Sequence, residues 1–195
     1  EEEEWVLKVN DELTDYEDAP KSGLVQDQRS AQHRLLRIAE DQRELLTKAF
    51  KCNNWQARMI ASAALGFSAQ DDVIGMLITA VQNDPDVQVR HHALWGLAVH
   101  GSEQRPADPI TACLGDPDPD IRLMALGTLS KVLRRNHDRG AMPRVLELLT
   151  DPDWRVRGQA TLVVATVARK DTVKMIVDKP LKDENPTVRL HAVGA

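Results

Sequence analysis

Three things are scarce in this sequence, and each scarcity excludes something. It has two cysteines, Cys52 and Cys113, in 195 residues, which argues against a disulfide framework and against a thiolate metal cluster, since both need closer or more numerous thiols. Aromatic residues make up 4%, too few for a ring-rich sheet core, whereas the abundant alanine, leucine and valine suit close packing of helix on helix. No apolar run approaches the ~18 residues that span a bilayer, so the sequence carries no transmembrane helix. There is also no HExxH, CxxC, GxSxG, glycine-rich phosphate loop or His-Glu dipeptide. The expectation is therefore no enzyme, no cofactor and no metal site.

What is present begins with charge. The chain is net −5, but Glu1 to Pro20 holds nine acids against Lys8 alone, which leaves residues 21–195 at net +3. An acidic extension thus precedes a mildly basic body. Residues 1–28 are expected to be poorly ordered, because so acidic a stretch buries little, although Trp5, Val6, Leu7 and Val9 are available to dock locally. A chain that opens on Glu1 leaves its compartment open.

Behind that extension the sequence repeats. The heptads Cys52–Arg58 (CNNWQAR), Asp84–Arg90 (DPDVQVR), Asp116–Arg122 (DPDPDIR), Asp151–Arg157 (DPDWRVR) and Asp183–Arg189 (DENPTVR) align without gaps, their arginines 32, 32, 35 and 32 residues apart. Three residues after each arginine stands alanine: Ala61, Ala93, Ala125, Ala160 and Ala192. Just before each arginine is an apolar residue, and four beyond each of the first four alanines comes Leu65, Leu97, Leu129 or Val164. This is one apolar stripe of a helix, here helix B, whose start the Asp/Asn and Pro residues of the heptad signal. Twelve residues before each arginine another column is apolar (Leu46, Ile78, Ile110, Val145, Val177) and marks a helix A over about 40–51, 71–82, 106–115, 139–150 and 171–182. Neither helix buries its stripe alone, so stacked units must close the core. The expected organisation is a helical cap at 29–39 and repeats at about 40–70, 71–104, 105–137, 138–170 and 171–195. The last helix B reaches Ala195 without a polar capping helix, so the stack is expected to continue or its last turns to fray.

The Asp-Pro-Asp-x-x-Val-Arg turn followed by alanine three residues later resembles the HEAT-repeat family, and most closely its short bacterial-type HEAT-like repeats, over about residues 40–195. The resemblance implies an all-α fold, a right-handed α-α superhelix of about five helix pairs. It also implies a ladder between neighbouring units, formed by Asp84, Asp116, Asp151 and Asp183 with Arg58, Arg90, Arg122, Arg157 and Arg189. The first unit departs from the pattern, with Cys52 where the others have aspartate. Caps and arginine pairing account for the turn carboxylates, which sit too far apart at ~10 Å per helix layer to share a calcium ion.

Function must then be sought in irregular positions. Residues one and five after each arginine point away from the alanine stripe at 100° per residue: Met59/Ala63, His91/Trp95, Leu123/Gly127, Gly158/Leu162 and Leu190/Gly194. A face meeting only water would be polar; this one is apolar and small, as a groove for a helix or peptide would be. The leading expectation is a protein-interaction scaffold binding a partner protein or peptide on the concave helix-B face through Met59, His91, Trp95, Leu123, Leu162 and Leu190, with Trp95 as anchor. The alternative is that neighbouring units, or the acidic extension folded back, already cover this face. The second expectation is nucleic-acid or anion binding through the basic insertion at 131–144, where Lys131, Arg134, Arg135, Arg139 and Arg144 gather. DNA glycosylases with HEAT-like repeats give it precedent, while the body's small net charge speaks against a duplex surface. The third is a lyase-like accessory protein, since phycobilin lyases resemble the same repeats.

Overall fold

The computed structural model describes residues 2–22, 25–100, 107–136, 140–167 and 179–194. Two compact units divide the chain, Glu1–Gln104 and Arg105–Ala195. In the first, α1 (Glu2–Asp18) and a 3-10 turn (Ala19–Ser22) lead to α2 (Val25–Asp41), followed by the pairs α3 (Arg43–Phe50) with α4 (Trp55–Leu65) and α5 (Asp72–Asn83) with α6 (Val87–Val99). In the second, α7 (Ala107–Ala112) pairs with α8 (Pro119–Asn136) and α9 (Met142–Glu147) with α10 (Trp154–Val167), and α11 (Pro186–Val193) closes the described chain. Helices α7 and α9 tighten into 3-10 turns at Cys113–Gly115 and Leu148–Thr150. Residues 168–178, over most of the fifth helix A, lie outside the described residues. No strand occurs among the described residues.

The repeated heptad does two separate jobs at each turn. Its first residue ends helix A: Asp84, Asp116 and Asp151 precede proline and take extended backbone, ψ 130°, 140° and 144°, because the proline ring disfavours a helical residue before it. Its third residue starts helix B. Asn54, Asp86, Asp118, Asp153 and Asn185 each accept the amide two residues on through the side-chain oxygen, at 2.8–2.9 Å, which satisfies one of the donors orphaned at a helix start.

The core follows the sequence columns. Ala61, Leu65, Val89, Ala93, Leu97, Ile121, Ala125, Leu129, Val156, Ala160 and Val164 are all buried. In the helix-A column Leu46, Ile110 and Val145 are buried and Ile78 is half-buried, its neighbour Leu77 taking the core place. Small residues let the B helices of the first unit touch. A Cβ on Gly66 would fall 2.5 Å from the Gly96 Cα, and one on Gly96 would fall 2.7 Å from the Ser62 carbonyl oxygen.

The acidic extension departs from expectation. Residues 2–18 are helical rather than poorly ordered, and α1 packs against α2 and α4. Two features overcome the composition. Trp5, Val9, Leu13 and Tyr16 recur at helical spacing, and Val9 and Leu13 are buried; Glu12 and Asp15 both accept from Arg34 of α2, at 2.5 and 3.1 Å. The shielding helix expected at 29–39 is also longer, running from Val25 to Asp41. Its Glu40 accepts from the Ser68 hydroxyl and the Ala69 amide, each at 2.9 Å, in the link between α4 and α5. Those bonds, the amide's first, hold the Glu40 carboxyl below its ordinary range.

Candidate partner-binding face

The most regular residues of the chain build the turn edge. Arg58 donates through Nε and Nη2 to both carboxylate oxygens of Asp84, at 2.8 and 3.0 Å. Its Nη1 donates to the carbonyls of Cys52 and Asn53 in its own turn. Arg122 treats Asp151 and the carbonyls of Asp116 and Pro117 in the same way, and Arg157 does so with Asp183 and the carbonyls of Asp151 and Pro152. One guanidinium thus ties its own turn to the next. Arg90 and Arg189 make the same backbone contacts in their turns, and the Asp116 carboxylate accepts the Asp118 amide. At Cys52, where aspartate is replaced, the carbonyl still takes Arg58 while the thiol donates to the Asn54 carbonyl. Hydrogen bonding to the carboxylates raises the guanidinium pKa of Arg58, Arg122 and Arg157 further. Burial pushes the Asp84 carboxyl up, but Arg58 and the Asp86 amide outweigh it and hold it below its ordinary value. Arg157, with the Asn185 amide, does the same for Asp183 against its burial. These residues are spent on the fold.

The face opposite the alanine stripe is different. In the first unit, Met59, His91 and Trp95 are half-buried while Ala63 is buried. Helix α1 lies over Met59, Ala63 and Trp95, and its Tyr16 stands edge-on to Phe67 and Trp95, with ring centroids 4.9 and 6.0 Å apart. Phe67 and Trp95 complete the triangle at 5.7 Å. His91 meets His92 edge-on at 5.4 Å, and His92 Nδ1 lies 2.8 Å from the Gln88 carbonyl oxygen. The sequence singles out Trp95 but gives no hint of Tyr16, Phe67 or Arg34. The available signal is the spacing of apolar residues in α1, which its acids obscure.

In the second unit, Leu123 and Leu162 are half-buried, and Gly127 faces open space, since a Cβ there would meet nothing within 4 Å. Gly158 instead turns into the packing: a Cβ there would lie 3.0 Å from His191 Nδ1 of α11. Leu190 is 69% exposed. The structure therefore brings Met59 and Trp95 together under α1, leaves Leu123, Leu162 and Leu190 only partly covered, and removes Gly158 from the face.

The basic insertion is largely a lengthened helix. Lys131 is exposed, Arg134 and Arg135 stand in the last turns of α8, and Arg139 lies outside the described residues. Arg144 pairs with Glu147 at 2.8 Å, both side chains exposed on α9, so part of the expected positive charge is offset locally. Among the described residues no group of three or more His, Cys, Asp or Glu side chains is placed to hold a metal ion, and no helix is long and apolar enough to cross a membrane.

Comparison with known proteins agrees with this architecture. A family model described as HEAT repeats matches residues 74–143, and a second, described as HEAT repeat, matches 141–170. No curated protein matches the sequence. Among solved structures, the Escherichia coli protein YibA is 21% identical with a TM-score of 0.69, covering 87% of this chain, which spans 64% of that chain's length. A designed armadillo repeat protein in complex with the peptide (KR)4 is 17% identical with a TM-score of 0.57, covering 86% of this chain and 91% of its own. An engineered protein is 20% identical with a TM-score of 0.52, covering 86% of this chain and 88% of its own. At these identities the likeness concerns the fold alone. Family models, repeated heptads and paired helices together identify residues 74–170 of this chain as HEAT repeats.

Proposed function

We propose that this chain is a non-catalytic interaction scaffold that binds a partner protein or peptide on its helix-B face, through Met59, His91 and Trp95 in the first unit and Leu123, Leu162 and Leu190 in the second. One observation carries the reading: in the first unit this face already takes a helix, since α1 lies across it with Tyr16 against Trp95. A surface that accepts one amphipathic helix has the shape and apolarity to accept others. The partly covered leucines of the second unit continue the same repeat column. A fold of this kind holds a peptide in the designed armadillo protein.

The test is selection of peptides from a displayed library on the intact chain, followed by affinity measurement on Trp95→Ala, Leu123→Asp and Leu162→Asp. Loss of about tenfold or more, roughly 1.4 kcal/mol, with the circular dichroism unchanged, supports the face. Selected peptides whose affinity none of the three variants alters would remove it.

A further inference from the structure

Resting on that reading, we infer that the surface α2, α4 and α6 present to α1 recognises an acidic amphipathic helix of a partner chain, for which α1 is the resident stand-in. The chemistry of α1 defines what the face accepts. Residues 2–18 carry eight acids against Lys8, yet the helix buries Val9 and Leu13 and sets Tyr16 against Phe67 and Trp95. Arg34 supplies the charge complement, since its guanidinium takes Glu12 and Asp15 together. Those two carboxylates stand three residues apart, on one side of the helix, and each is followed by a residue facing the scaffold, Leu13 or Tyr16. The recognised pattern is thus acid, apolar, any residue, acid, aromatic on a single helix.

The resident helix fits this surface incompletely. A cleft of about 610 Å³ stays open where Trp5, Val6 and Leu7 face Lys48 of α3, Cys52 in the following turn and Gln56 of α4, and Leu7 is 64% exposed. A second void of about 50 Å³ separates Asn10 and Leu13 from Met59 and Trp95. Val9, Leu13, Tyr16 and the Arg34 pairs carry the contact, while the turn at Trp5–Leu7 leaves its flank open. What holds α1 in place is also its attachment: only Ala19–Ser22 and residues 23–24 separate it from α2, and so short a link gives an effective concentration of roughly millimolar. A partner helix with the same anchors and better-filled flanks displaces it.

The experiment uses a fluorescent peptide of residues 2–18 as probe and the intact chain with its own α1 disarmed by Val9→Asp and Leu13→Asp. The disarmed chain is expected to bind the probe, and the unaltered chain to bind it at least tenfold more weakly, because its own α1 competes. Adding Arg34→Glu or Trp95→Ala to the disarmed chain is expected to abolish binding, as is Glu12→Lys with Asp15→Lys in the peptide. Should the double variant not fold, Tyr16→Ala with Asp15→Lys disarms α1 at the surface instead. No binding to a folded, disarmed chain overturns the inference, as does binding equal to that of the unaltered chain or insensitive to Arg34→Glu. If the probe fails while library-selected peptides still respond to Leu123→Asp or Leu162→Asp, this inference falls and the scaffold reading stands.

Discussion

Tyr16 of α1 and Trp95 of α6 meet edge to face, ring centroids 6.0 Å apart. Tyr16 meets Phe67 as well, at 4.9 Å, so one side chain makes both aromatic contacts of α1. Such pairs contribute about 0.5–1.5 kcal/mol each beyond the area they bury. Tyr16→Ala is therefore expected to weaken α1 docking by about 1–3 kcal/mol, speeding hydrogen exchange across residues 2–18 about fivefold or more while the amides of α4 and α6 keep their protection. Exchange mass spectrometry on the intact chain measures this. Unchanged α1 exchange would mean that the helix is held elsewhere.

The turn ladder makes a prediction of a different size. Asp151 is buried, and it accepts twice from Arg122 and once from the Asp153 amide. Removing it leaves a largely buried guanidinium with its own turn's carbonyls alone and an amide without an acceptor, which costs about 3–5 kcal/mol. Asp151→Ala should lower the urea midpoint accordingly. Asp120, exposed and paired with Arg155 at 2.8 Å, is the control: its removal should cost under about 1 kcal/mol. Similar losses for the two would show that the ladder contributes no more than a surface pair.

The repeat is legible in the sequence because every signal for it is local. Asp-Pro ends one helix, the next Asp or Asn caps the following one, and the alanine stripe lies within a single helix, so one heptad carries the whole instruction. Trp95 is legible as an irregularity in a regular column. Tyr16 and Arg34 are not, because their importance comes from partners remote in sequence: Tyr16 means little until α6 brings Trp95 to it, and the acids around it imitate a solvated tail. Glycine shows the same limit. Gly127 and Gly158 occupy equivalent faces in the sequence columns, yet one meets open space and the other His191, a difference set by how the final helices pack.

Acid should loosen the turns. The carboxyls of Asp84 and Asp183 are held below their ordinary value in the folded chain, so the stability they confer is fully present above the unfolded value of ~3.9 and is lost as pH falls through the folded one. Stability is thus expected to change little on this account between neutral pH and about pH 5, and to fall below about pH 4. Asp84→Asn with Asp183→Asn should be less stable at pH 7 and should show a shallower acid decline. Urea midpoints from pH 3 to 7 decide it: an acid decline as steep in the double variant as in the parent would assign the effect to other carboxylates.

Gly96 fixes how closely α4 and α6 approach. A Cβ there would meet the Ser62 carbonyl oxygen at 2.7 Å, and that oxygen belongs to helix backbone, which cannot swing aside as a side chain can. Gly96→Ala must therefore push α4 and α6 apart, at a cost of about 1–3 kcal/mol for overpacking. The shift also moves Trp95, the adjacent residue, relative to Met59, and so should loosen α1 along with the core. Gly75 in α5 of the same unit supplies the contrast, since a Cβ there meets nothing within 4 Å; Gly75→Ala should stabilise by about 0.5–1 kcal/mol through helix propensity. Thermal melts of both variants, with exchange of residues 2–18 followed in parallel, test the coupling. A destabilised Gly96→Ala whose α1 keeps its protection would separate the helix contact from the binding face.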